Sequence, residues 1–385
     1  MSKPYIFLIL LSLLVFQINV KAQQLSSAAT ISVLTCNPGT EVYSMYGHSA
    51  IRVTDPAQNL DVVFNYGVFS FESNDFLYRF AKGLTDYRMD GGRFQRFLPE
   101  YEEERRSVYE QVLNLPEEGK NKLYRALIEN FKPENRVYRY NFFMDNCATR
   151  VRDMIERNAG APITFPDDCP VESYRSLIKQ YHHSFRWFDL GIDLLVGKKA
   201  DVPVPAHGQM FLPEHLMSQF ANAQITTDGK SLPLVRETKT LLEYPNSKKN
   251  VDLPWPALVF GLLFASILVF SMRAFFRKKN LDWLDYLLLS LSGLAGLIIG
   301  WFTLYSEHPA MSPNFNLMWA FPLNFLFSGV WAVKRWRMQT RYYFGLMAIL
   351  LVFSMFSWQQ FNPAVYFIML TLLTRAVIHL ILSKK

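Results

Sequence analysis

Five apolar segments crowd the last third of the 385-residue chain, at residues 254–276, 284–305, 315–333, 342–358 and 364–382. Each is near the ~20 residues that a helix needs to cross the hydrocarbon of a bilayer. Core helices of a soluble domain rarely come five in a row at this length and hydropathy. Residues 251–385 are therefore expected to form an all-α domain of five transmembrane helices. The connecting loops supply an orientation. Residues 273–282 carry Arg273, Arg277, Lys278 and Lys279, and residues 334–341 carry Lys334, Arg335, Arg337 and Arg341, whereas residues 306–314 and 359–363 carry no Lys or Arg. With Lys384 and Lys385 closing the chain, this alternation fits the positive-inside rule and places the C-terminus in the cytoplasm. Trp255, Trp283, Trp301, Trp319, Trp331 and Trp358 fall near segment ends, where interfacial Trp belongs.

The same pattern explains the composition. Half of the chain is hydrophobic and only 19% is charged, against about a quarter in an ordinary soluble domain. The net charge is +7, but the densest basic clusters flank apolar segments, which argues for a membrane and against a nucleic-acid partner. At the other end, Lys3 precedes an apolar run over residues 5–16, and Val20-Lys21-Ala22 comes after it. Residues 1–22 are expected to be a secretory signal peptide cleaved after Ala22. It would export the polar body of residues 23–250, which with the five spans makes a multi-pass membrane protein whose polar body lies outside the cytoplasm.

Within that body, residues 43–53 read as a strand entered through Gly47, and residues 62–68 as a second strand after an Asp55-Pro56…Asn59 turn. A hairpin of this length brings His48 and Asn65 near each other on one face. Far downstream, Asp145 or Asn146 can cap a helix whose apolar side carries Val151, Met154 and Ile155, which puts Cys147 at a helix N-terminus. Backbone N–H groups and the helix dipole there favour a thiolate, and the N–H of Cys147 itself can serve an oxyanion hole. Cys147, His48 and Asn65 thus make a nucleophile, base and orienter set. The other cysteines, Cys36 and Cys169, are expected either to pair or to stay free, leaving Cys147 reduced. Tyr43, Tyr46 and Asn146 are candidates for substrate or oxyanion contacts, with hairpin packing as the plainer role for the tyrosines. Arg52 and Arg150 can bind lipid phosphate or serve as ion-pair partners. Glu307 and His308, with Asn314, Asn316 and Asn324, stand at the expected outer membrane edge, where polar groups can mark a substrate path. Residues 101–111 read as a charged, solvated helix, residues 83–88 as a loop into a strand, and residues 211–216 as a segment that can cover the site. His182 and His183 are adjacent, so their side chains diverge, and metal ligation is not expected.

The motif Tyr46-Gly47-His48-Ser49-Ala50-Ile51-Arg52, with Asn146-Cys147-Ala148-Thr149-Arg150 downstream, resembles the circularly permuted branch of the papain-like thiol fold, in which the His strand precedes the Cys helix. That branch includes lecithin:retinol acyltransferase-like and NlpC-like proteins, and its orienting residue sits on the strand after the His strand, where Asn65 falls. Adding the segment over residues 34–39, the outer loop residues Glu307, His308 and Pro309, and five spans, nearly the whole chain resembles the Lnb-type proteins of Bacteroidota. The resemblance implies an α+β papain-like periplasmic domain, then a helical membrane domain, and a lipoprotein N-acyltransferase. Cys147 would take an acyl chain from a phospholipid as a thioester, and the α-amine of the lipidated N-terminal cysteine of a diacylglyceryl lipoprotein would accept it. Such chemistry calls for no metal or nucleotide cofactor, and the sequence has neither a phosphate loop nor a His/Cys cluster at zinc spacing. A membrane-anchored cysteine peptidase or amidase acting on cell-wall peptide would use the same three residues, and a non-catalytic assembly factor or sensor would need none of them.

Overall fold

The structure is a computed structural model that describes residues 24–69, 75–167, 170–245, 253–332 and 337–382. The expected signal peptide and Cys169 lie outside the described residues. The N-terminal part is built on an antiparallel sheet of strands β1 (Thr30–Cys36), β2 (His48–Asp55), β3 (Leu60–Val68), β4 (Asp86–Arg93), β5 (Val108–Leu113), β6 (Val137–Arg139) and β7 (Val235–Leu242), in the order β7-β5-β1-β2-β3-β4-β6. β1 lies centrally and is buried along nearly its whole length, as its apolar sequence requires. β2 and β3 form the expected hairpin. Asp55 accepts a hydrogen bond from the Ala57 N–H at 3.1 Å, and Asn59 closes the turn in the left-handed region.

Three helices frame the sheet: α1 (Phe76–Lys82), α2 (Glu117–Phe131) and α3 (Cys147–Asn158). α2 and α3 pack together. Leu123, Leu127, Val151 and Ile155 meet Ile31, Val33, Ile51 and Tyr66 of the sheet in one core. A smaller cluster joins Leu34, Cys36, Ala50, Val63 and Val108 to Phe97 and Tyr101. Residues 101–111 are not one helix: a short helix ends at Glu103, Arg105 turns through φ +53, and β5 begins at Val108. The β-branched Val108 and Val112, both buried, favour the pleated sheet over a solvated helix.

Later in the chain come α4 (Tyr174–Lys179), α5 (Arg186–Leu195) and α6 (Pro213–Asn222). Residues 211–216 form part of the wall of this body. Phe211, Leu212 and Leu216 are buried at the start of α6, and Pro213 lies beside Gly47.

A second body is helical, with α7 (Trp255–Phe276), α8 (Asp282–Tyr305), α9 (Leu323–Ala332), α10 (Arg337–Met355) and α11 (Pro363–Leu382). Among the described residues, α7, α8 and α11 are long and apolar enough to cross a membrane. The expected third span is divided into a four-residue helix, Asn316–Trp319, and α9, with non-helical Ala320 before Pro322. A proline lacks the N–H and clashes with the preceding turn, so it opens a helix more easily than it continues one. α10 begins in polar residues, and its apolar stretch covers Arg341–Met355. Asp285 and Arg375 form a buried ion pair inside the bundle, with Nε to Oδ1 at 2.6 Å.

α5 joins the two bodies. Leu190 and Leu194 pack into the bundle's apolar core beside Trp319 and Phe361. Asn314 and Asn316 donate to the Leu194 carbonyl at 2.8 and 3.2 Å, satisfying the C-terminal end of α5. Asn362 donates to Asp189 and Asp193, both at 3.1 Å. The two loops without Lys or Arg are thus ones that meet the N-terminal part.

Candidate active site

Cys147 is the first residue of α3, and the reason is local. Asn146 stands in extended backbone, its side chain accepts the Thr149 N–H at 2.9 Å, and the Thr149 hydroxyl accepts the Asn146 N–H at 2.8 Å. This reciprocal pair starts the helix at the cysteine. The same geometry rules Asn146 out as an oxyanion donor, since its amide nitrogen donates to the Phe142 and Phe211 carbonyls, both at 2.8 Å.

β2 begins at His48 and runs in register with β3, Ala50 opposite Asn65. His48 lies two residues from Ala50, so the His48–Asn65 pair is diagonal, and its side chains close the gap with Nε2 to Oδ1 at 3.1 Å. That bond leaves Nδ1 as the ring nitrogen available for a proton from a thiol. Gly47 makes the sharp approach to the strand possible. It sits at φ +81, and a β-carbon there would come within 2.7 Å of the Cys36 carbonyl oxygen.

The two motifs converge. The backbone N–H groups of Ser49, Ala148 and Cys147 itself lie near enough to the Cys147 thiol to favour its charged form, which puts the sulfur close to the peptide that succeeds His48. A β-carbon on Gly67, two residues past Asn65, would lie 3.5 Å from Cβ of Cys147. The cysteine therefore sits at the end of the β2–β3 hairpin that carries His48 and Asn65. His48 and Cys147 each keep an edge at the surface, as a site that receives substrate must.

Burial sets the resting charge. It pushes the His48 imidazole down to about 4, against the opposing hydrogen bond from Asn65, with Arg106 adding to the depression. It also raises the Cys147 thiol, although the three N–H groups pull the other way. At Cys147 desolvation therefore outweighs the pull of the helix N-terminus, and at His48 it outweighs the hydrogen bond to Asn65. Cys36, directly opposite His48 in the sheet, is a fully buried thiol pushed up to about 12. The pairing expected of it involves Cys169, outside the described residues.

The remaining candidates have other partners. Tyr43 is exposed. Arg150 pairs with Asp145 and lies 4.0 Å over the Tyr138 ring. Arg52 is held by Asp61 at 2.8 Å and Glu110 at 3.1 Å. Glu307 and His308 contact α1: the Glu307 N–H donates to the Lys82 carbonyl at 2.8 Å, and His308 Nε2 lies 2.9 Å from the Phe80 carbonyl. Asn324 donates to Ser292 within the bundle. The Tyr46 hydroxyl lies 2.8 Å from His182 Nε2, and His182 Nδ1 lies 2.8 Å from Asp189. Sequence reasoning missed this buried relay, because two adjacent histidines carry no signal of a partner seven residues on.

Residues 17–180 match the Lnb N-terminal periplasmic domain, and residues 248–385 match the Lnb transmembrane domain. The chain belongs to the Lnb family. It is a membrane protein with a periplasmic, sheet-rich N-terminal part and a helical C-terminal part. No curated protein and no solved structure matches it.

Proposed function

We propose that this Lnb-family chain is a thiol-dependent lipoprotein N-acyltransferase with a circularly permuted papain-like periplasmic domain. The observation that carries the reading is the meeting of Cys147, at a helix start, with the hairpin that holds His48 on Asn65. In the first half-reaction, Cys147 Sγ attacks a phospholipid ester carbonyl as His48 takes the thiol proton. The tetrahedral intermediate expels the glycerol oxygen, which takes that proton from His48, leaving a thioester and a lysophospholipid. In the second, the α-amine of a diacylglyceryl cysteine attacks the thioester, His48 takes the amine proton, and Cys147 leaves and regains it. The N–H groups around Sγ favour the charged sulfur as it forms.

The membrane part favours acyl transfer over cell-wall hydrolysis, since a hydrolase of soluble peptide needs one anchor, whereas both lipid substrates lie in the bilayer. Contacts between α5 and Asn314, Asn316 and Asn362 support a periplasmic position for those loops and, with the charge pattern, a cytoplasmic C-terminus in the inner membrane. The test is mass spectrometry of lipoprotein N-termini from cells that depend on the variant protein. Cys147→Ala and His48→Ala are each expected to leave the N-terminal amine unacylated. Persistent N-acylated product with Cys147→Ala would refute the thioester scheme.

A further inference from the structure

α1 has the sequence Phe76-Leu-Tyr-Arg-Phe-Ala-Lys82. Phe76 faces inward, while Leu77, Tyr78 and Phe80 are 80%, 56% and 48% exposed. Three large apolar side chains uncovered on one short helix mark a contact surface. Its neighbours identify the occupant. α1 sits on the end of α8: the Ser306 hydroxyl donates to the Ala81 carbonyl at 3.0 Å, and the Tyr78 ring centroid is 6.2 Å from that of Trp301. At Gly83, which closes α1 at φ +78, a β-carbon would lie 3.1 Å from the His308 nitrogen. The α1 patch therefore continues the exposed Leu304 and Tyr305 face of a helix long and apolar enough to span a bilayer, and the outward apolar face of a span is one that lipid covers. Tyr and Trp at such a level are typical of the membrane interface.

Behind α1 lies a cavity of about 260 Å³ whose apolar lining includes Val68, Phe69, Phe76 and Tyr87, with Arg79, Arg88, Thr85 and Asp86 on its polar side, where Arg79 pairs with Asp86 at 2.6 Å. Phe69 is 5.8 Å from Phe76 and 5.0 Å from Tyr87, ring to ring. This wall belongs to the core that also holds the nucleophile: Tyr87 is part of the main apolar cluster, and Phe69 and Cys147 both pack against it.

The geometry points to a lipid seat: α1 lies in the outer leaflet and admits one acyl chain of a membrane phospholipid into the cavity behind it, beside the core that holds Cys147. The acyl-transfer step rests on the proposed acyltransferase function; the lipid contact does not. The test uses the full-length protein in nanodiscs of phosphatidylethanolamine and phosphatidylglycerol, doped with a phospholipid that carries a diazirine midway along one acyl chain. Irradiation is expected to label Leu77, Tyr78 or Phe80 and, deeper, Phe69 or Tyr87, as well as the spans. Leu77→Asp changes an exposed side chain and is expected to cut the label on Phe69 and Tyr87 at least fivefold while that on α7 stays the same. Label confined to the spans, or undiminished in Leu77→Asp, would overturn the seat. Labelling needs no turnover. A protein labelled in this way that forms no thioester at Cys147 would refute the acyltransferase and leave the seat standing.

Discussion

At the scale of the residue, His48 shows how burial decides chemistry. With its imidazole held at about 4, against about 6.5 in an unfolded chain, the folded protein binds fewer protons than the unfolded one between those values. Stability therefore rises with pH across this window and is lost as pH falls from 6.5 towards 4. The expected outcome is that His48→Gln, which cannot titrate, loses less of its thermal midpoint between pH 7 and pH 4.5 than the parent. Equal losses would place the acid sensitivity elsewhere. For the reaction, burial leaves the imidazole unprotonated at neutral pH but a weak base, so proton transfer from the thiol is expected to accompany attack on the ester and not to precede it.

At the scale of the element, α3 is a helix of unexceptional propensity made specific by its cap. Asn146→Ala removes the acceptor for the Thr149 N–H and both donors to the Phe142 and Phe211 carbonyls. It is expected to cost about 1–2 kcal/mol, read as a lowered midpoint in thermal unfolding. Asn146→Asp keeps the accepting oxygen and is expected to recover part of that loss; no recovery would show that the two donated bonds, not the cap, carry the stability. The cap was legible in the sequence as a choice between Asp145 and Asn146, because either residue before an apolar helical pattern has a local meaning, and the fold takes Asn146. The two carbonyls were not, because Phe211 is brought there by the fold.

At the scale of the molecule, buried charge links the two bodies. Arg175 is fully buried and bonds Asp193 at 2.7 Å and Asp201 at 2.6 Å, while Lys179 reaches Asp193 at 2.6 Å. Asn362 of the membrane part donates to the same Asp193. Removing one partner of such a group leaves desolvated charge behind, so Asp193→Ala is expected to cost roughly 3–5 kcal/mol. Thermal unfolding of the full-length protein in detergent should show the loss, and an unchanged midpoint would mean that the cluster contributes nothing net.

Features that depend on neighbours along the chain were legible before any fold was known: the apolar segments and their basic loops, the hairpin turn at Asp55-Pro56, the alternation that puts His48 and Asn65 on one side, and the helix start at Cys147. Only the tertiary structure decided the rest. It set the sign of the Cys147 shift, because desolvation is a property of surroundings and not of a helix terminus alone. It turned Arg52, Arg150 and Asn146 from candidate ligands into fold contacts, because their partners lie elsewhere in the chain or in its turns. It also divided the third apolar segment at Pro322, where hydropathy counts side chains and takes no account of a missing backbone N–H.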